Sequence, residues 1–252
     1  MTITSIPLAA SSNPFERWVS ETFRREPLFA GTALLLAALT APLLVAYAID
    51  TRELLGGSVW VKPIKFAVAL IVYLGTLAWF AGWLPAGMTQ QPRYRVFAGV
   101  VVACTIAEMA WIVGAAAAGT ASHFNTTVPF LVIIYPVMGL LATILTAASL
   151  VYGMAIWRDR SSPLNPALRH AVAIGLVMTF VATLLAAGVL ASRNGHLVGA
   201  VGSETSRLPF FGWSRTWGDL RVAHFFATHA MHVLPLVGLL VTPWGEARWH
   251  AW

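Results

Sequence analysis

Six stretches of about 20 or more mostly apolar residues recur along the chain, near 28–49, 64–84, 94–118, 128–156, 167–191 and 221–241. A run of that length spans a bilayer as a helix, because in lipid a helix satisfies its own backbone groups. The pattern predicts an all-α, polytopic membrane protein: a bundle of six transmembrane helices. Composition agrees, with 58% of the 252 residues hydrophobic and only 10% charged, where a soluble domain carries about 25% charge. Eleven tryptophans suit two interfacial belts. The net charge of +6 does not point to nucleic acid, since the basic residues gather at helix ends and form no long basic run.

The chain divides into an N-terminal cytoplasmic or interfacial segment (1–27), a transmembrane domain (28–241) and a short cytoplasmic tail (242–252). In the first segment, Asn13 can cap a helix that Pro14 opens. Phe15, Trp18, Val19 and Phe23 then recur at helical spacing, which predicts a short helix lying on the membrane surface. No basic segment leads into an apolar core and cleavage site here, so the first crossing is expected to act as an uncleaved anchor. Pro42, Pro136 and Pro235 fall inside crossings and are expected to bend them. Six crossings put both termini on one side, with nine of the 16 Lys and Arg residues. Basic residues in the short loops 85–93 and 157–166 favour a cytoplasmic location for that side.

The unusual polar residues sort to the other side. His224, His229 and His232 enter the last crossing there, at depths of roughly 5, 13 and 18 Å. Ionisable residues in lipid usually face a protein interior and mark a functional site. His229 and His232 share a helix face, whereas His224 lies roughly 140° around from His229. A metal shared with another helix therefore fits better than one held by these three alone. Glu108 lies roughly 15 Å below the same surface and reaches the depth of His229 and His232 if the third and sixth crossings are neighbours. Cys104, four residues earlier, shares its face and reads as a packing residue. It is the single cysteine, so no intramolecular disulfide can form.

Lys62 and Lys65 open the second crossing, with Pro63 suited to a first helical position. They either snorkel to headgroups or, with Arg193 and Arg221, meet an anionic substrate or haem propionates. His123 and Asn125 can ligate or cap after the third crossing, and His196 follows the fifth. Loop 192–220 is long enough to be functional, and its Gly, Pro, Phe and Trp residues suggest an ordered lid. Asp219 can cap the last helix or act as a base.

The strings VWVKPIKF, SHFN, RNGHLVG and GDLRVAHFF resemble those of an uncharacterised family of bacterial integral membrane proteins. The resemblance covers most of the chain from the second crossing onward. It implies a bacterial inner-membrane setting and brings no activity with it.

Three functions compete. The leading one is membrane redox chemistry at a haem b or transition-metal centre (iron, copper or zinc), near the outer leaflet and serving a quinone or other small molecule. His224 or His229 would then face His123 or His196 across the bundle, with His232 a further ligand. The second is a proton-coupled transporter or channel using Glu108 and the last-crossing histidines. The third is a zinc-dependent intramembrane hydrolase of a lipid-like substrate, with Glu108 or Asp219 as general base.

Overall fold

The computed structural model describes residues 13–54, 56–123, 129–193, 195–199, 206–209 and 211–241. Asn125, the tail 242–252 and parts of loop 192–220 lie outside the described residues.

Helix α1 (Pro14–Arg25) starts as its sequence suggests, with the Asn13 side chain accepting from Phe15 N–H at 2.9 Å. A single residue, Glu26, joins it to α2 (Pro27–Ile49). Glu26 serves both helices: its backbone N–H caps the Thr22 carbonyl and its carboxylate accepts from Leu28 N–H at 3.0 Å. Helix α1 is fastened by Arg25, whose guanidinium sits 3.9 Å from the Trp79 ring and donates to the Trp79 carbonyl at 2.9 Å. Gly82 makes room for this arm, because a Cβ there would stand 2.8 Å from the Arg25 side chain.

The remaining helices are α3 (Val61–Phe80), α4 (Pro92–Ala117), α5 (Pro129–Arg158), α6 (Pro166–Ser192), α7 (Leu220–Thr228) and α8 (Ala230–Val241). Five of the helices, α2 to α6, are long and apolar enough to cross a membrane. Helices α7 and α8 meet at a 57° bend and together make a broken span or a re-entrant segment. The outer faces of the spans are apolar too: Leu34 and Leu35 of α2, Ile133 of α5, Leu185 of α6 and Leu240 of α8 are all exposed. A helix apolar on every side belongs in lipid or a large core.

Two details differ from the sequence reading. Pro63 is the third residue of α3, not its first. The position costs no hydrogen bond, because the leading N–H groups of a helix have no partner within it. The break in the last span falls at His229, six residues before Pro235. Helices α2 and α5 run on through Pro42 and Pro136.

Helix α4 packs against α3, α5 and α2, whereas α7 and α8 pack against α6. The close fit of α6 to α8 needs Gly175, where a Cβ would come within 2.9 Å of the Ala230 carbonyl oxygen. Short antiparallel pairs close the end opposite Glu26: β1 (Glu53–Leu54) with β2 (Gly57–Ser58), and β3 (Leu197–Val198) with β4 (Gly218–Asp219). Arg52 ties this end together, bonding Asp50 and the Ala117 carbonyl at 2.9 Å. The Arg52 guanidinium holds the Asp50 carboxyl well below its ordinary range.

Candidate functional site

The two ends of the bundle, named here for Glu26 and His123, both hold buried polar groups. At the His123 end the centre is Glu108. Helix α4 turns a face of Tyr94, Ala98, Val101, Thr105, Glu108 and Ile112 inward, at the spacing of a buried helical stripe. Glu108 is 3% exposed, and its Oε1 has no hydrogen-bond partner among the described residues. Lys62, near the start of α3, is the cation whose charge acts on it. Lys62 Nζ lies 3.0 Å from His123 Nδ1, and Ser122 Oγ lies 3.1 Å from the same nitrogen. An ammonium only donates, so His123 Nδ1 accepts and the ring is neutral, with its proton on Nε2. Burial, helped by Lys62, pushes the His123 imidazole down to about 3. Trp111 Nε1–H donates to the Ser122 carbonyl at 2.9 Å and fixes the loop that carries His123. Phe66 and Tyr135 pack beside the His123 ring.

A second cluster forms at the break between α7 and α8. His229 Nδ1 and His232 Nδ1 are 3.2 Å apart, and His232 Nε2 lies 3.0 Å from Thr76 Oγ1 of α3. The break frees the Met231 N–H, which donates to Thr179 Oγ1 of α6 at 2.8 Å. The shared face of His229 and His232 is as expected. The sequence reading set His224 or His229 to face His123 or His196 across the bundle, yet it is His232 that bonds across it, to Thr76. His224 makes no hydrogen bond among the described residues.

Glu108 does not join this cluster through helix adjacency. Its helix packs chiefly on α3, α5 and α2 while the histidines ride on α7 and α8 against α6, so the third and sixth crossings are not principal neighbours. Equal depth in a bundle places residues in one layer without making them neighbours.

No family model, curated protein or solved structure matches this chain.

The remaining sequence candidates are occupied with structure. Asp219 caps α7 through Arg221 N–H at 3.0 Å, accepts from Ser214 N–H, and forms a salt bridge with Arg221 at 2.6 Å. Burial raises its carboxyl, but Arg221 and the two N–H groups outweigh that and hold it below its ordinary value. A carboxylate so engaged is a poor base. Arg221 also donates to the Gly212 carbonyl at 2.6 Å, and Lys65 to the Phe211 carbonyl at 3.0 Å. Together they bind the aromatic loop to α3 and α7, which is the behaviour of an ordered cover. The His196 carbonyl accepts from Leu220 N–H at 2.8 Å beside the β3–β4 pair. Arg193 is the exposed C-cap of α6.

The described residues hold no ready-made ligand group for a bare metal. Among the described residues no three His, Cys, Asp or Glu side chains come together as a ligand group. His123 turns Nδ1 to a lysine, and His232 uses both ring nitrogens within the protein. A groove of about 610 Å³ between α6 and the α7–α8 pair is lined by apolar residues such as Met178, Leu185 and Phe226, with none of the histidines.

Sequence reasoning missed the Glu26 end. Glu26, Tyr94 and Tyr152 are all buried there. The Tyr94 and Tyr152 hydroxyls are 2.5 Å apart, and Glu26 lies near enough for its charge to act on both. Tyr73 donates to the Leu145 carbonyl at 3.0 Å. One signal was present: Tyr94 stands on the same inward stripe of α4 as Glu108.

Proposed function

We propose that this chain is a proton-handling protein of the bacterial inner membrane, a proton-coupled transporter or a channel, with Glu108 as the group that exchanges the proton. In this reading α2 to α6 and the broken α7–α8 segment make six crossings. Both termini are cytoplasmic, and α1 lies on the cytoplasmic surface with Phe15 and Trp18 toward lipid. The resemblance of its motifs to bacterial integral membrane proteins supports that setting.

The observation that carries the proposal is the buried Glu108 carboxyl with an oxygen left without a partner. A buried polar atom left unpaired costs about 1–3 kcal/mol, and in native proteins such atoms call for an explanation. Proton exchange supplies one: the group alternates between a neutral acid and a carboxylate that Lys62 stabilises. Lys62, His123 and Ser122 then form a polar path from Glu108 toward the extracytoplasmic side.

The redox and hydrolase readings have less to stand on, because no three ligand side chains come together among the described residues and His232 uses both ring nitrogens within the protein. The test uses purified protein in liposomes, with a potassium diffusion potential driving protons toward an internal pH dye. Flux above that of protein-free liposomes, lost in Glu108→Gln with the fold retained, supports the proposal. Flux that Glu108→Gln leaves unchanged would remove Glu108 from the path. A visible haem band, or bound iron or copper, that disappears in His224→Ala or His229→Ala would replace this reading with the redox one. Colourless zinc-loaded protein would favour the hydrolase.

A further inference from the structure

The hydrogen-bond chain at the helix break has a direction, and the direction can be read from its far end. Thr76 Oγ1 lies 2.7 Å from the Val72 carbonyl oxygen, which can only accept. The threonine proton is therefore committed there, and Thr76 Oγ1 must accept from His232. That assigns the His232 proton to Nε2 and leaves its Nδ1 as a lone pair. The Nδ1 of His229, 3.2 Å from that lone pair, must then be the donor. The remaining ring nitrogen, His229 Nε2, carries a lone pair and has no partner among the described residues.

From this chain we infer that the His229–His232 pair is a single-proton binding site built at the break of the last span, with His229 Nε2 as the atom that takes the proton. The ligand is a proton, and the chain behind it holds both rings in one tautomer each. When His229 Nε2 is protonated, the Nδ1–H donated to His232 becomes a charge-assisted bond, so the added charge is shared across the pair. A second proton would have to displace that bond and set two imidazolium rings together, so the pair takes one.

The surroundings suit a cation at His229. The Phe225 ring centroid lies 4.2 Å from the His229 ring, and Trp213 from the loop packs edge-on against Phe225 at 5.3 Å. An aromatic face attracts a desolvated cation. His229 is also the C-cap of α7, where the helix dipole favours positive charge. The leading N–H groups of α8 oppose this, but the Met231 N–H is already taken by Thr179.

No fixed charge competes. Helix α6 carries no charged residue between Arg169 and Arg193, and α8 carries none. On α3 the charges are Lys62 and Lys65, near its start, and Tyr73 is bonded to the Leu145 carbonyl. On the loop before α7, Arg207 and Arg215 are exposed; on α7, Arg221 is paired with Asp219 and His224 lies five residues from His229. The inference goes beyond the role given to Glu108 and holds whether or not that group exchanges a proton.

The test is solid-state nitrogen NMR of the full chain in lipid bilayers, with nitrogen-15 in its histidines and assignment by replacing the other histidines one at a time. In alkaline buffer His229 should carry its proton on Nδ1 and His232 on Nε2. On acidification one proton per pair should appear, first at His229 Nε2. Thr76→Val should convert His232 from one tautomer to a mixture, while Thr76→Ser should keep the wild-type spectrum and so show that the fold is not at fault. His232 found with its proton on Nδ1 in alkaline buffer would overturn the inference. So would uptake of two protons by the rings over the same pH range, or a His232 signal indifferent to Thr76→Val.

Discussion

The Glu26 end and the His123 end of the bundle each bury a carboxyl, and they treat it in opposite ways. Glu26 is 3% exposed, like Glu108, but it accepts from Leu28 N–H at the start of α2, with the bonded Tyr94–Tyr152 pair near it. The nearby α1 is held by Arg25 against Trp79. Glu108 sits in the middle of a helix, where the backbone N–H groups are already used, and its Oε1 has no partner among the described residues. A helix terminus can satisfy a carboxylate from its own backbone, whereas a helix interior cannot. The contrast separates a carboxyl that holds structure from one that is available for chemistry.

The largest effect expected from this contrast is on proton movement. Glu108→Gln should abolish it while leaving stability unchanged or higher. Glu26→Gln should lower stability by about 1–3 kcal/mol and leave proton movement per folded molecule intact. Liposome flux and thermal unfolding of both variants check the pair. Equal flux losses at the two positions would erase the distinction.

A smaller effect is expected at Tyr152. Tyr152→Phe removes the hydroxyl that Tyr94 meets and should cost about 1 kcal/mol, seen in the unfolding midpoint, again with flux unchanged. Arg25→Met tests the clamp on α1. It removes a cation–π contact and a bond to the Trp79 carbonyl, for a loss of about 1–2 kcal/mol. Faster proteolysis within 14–25 should accompany it.

The mildest expectation concerns pH. His123 is held neutral by burial, its pKa lowered from 6.5 to about 3. The folded state therefore resists a proton that the unfolded chain accepts. Stability is full above about 6.5 and is lost as pH falls from there toward about 3. At the other end, bonding to Arg24 and Arg25 holds Glu21 at about 2, below its ordinary 4.5. That contribution is full above about 4.5 and lost as pH falls toward about 2. Acidification should loosen the His123 end first, visible as earlier hydrogen exchange near 120–123 than near 21–26.

Much of the fold was legible because its period is local. The five long spans lie within a few residues of the expected ranges, and the Asn13 cap is where its sequence placed it. Adjacency was not legible. Residue counting puts Glu108 and His229 at similar depth, but apolar periodicity says which face of a helix is buried, not which helix covers it. The break at His229 was missed because Pro235 drew attention to itself, while the group that stabilises the break, Thr179, sits on another helix. Glu26 was read as part of the polar N-terminal segment, since its neighbour Tyr94 is 68 residues away in sequence.

The central claim is that Glu108 exchanges a proton inside the bundle. Infrared difference spectroscopy of the protein in bilayers, across a step in pH, reads this without knowledge of any substrate. A carboxylic-acid carbonyl band should appear on acidification, shift in heavy water and be absent from Glu108→Gln. A band that survives in Glu108→Gln, or no carboxylic-acid band at any pH, would contradict it.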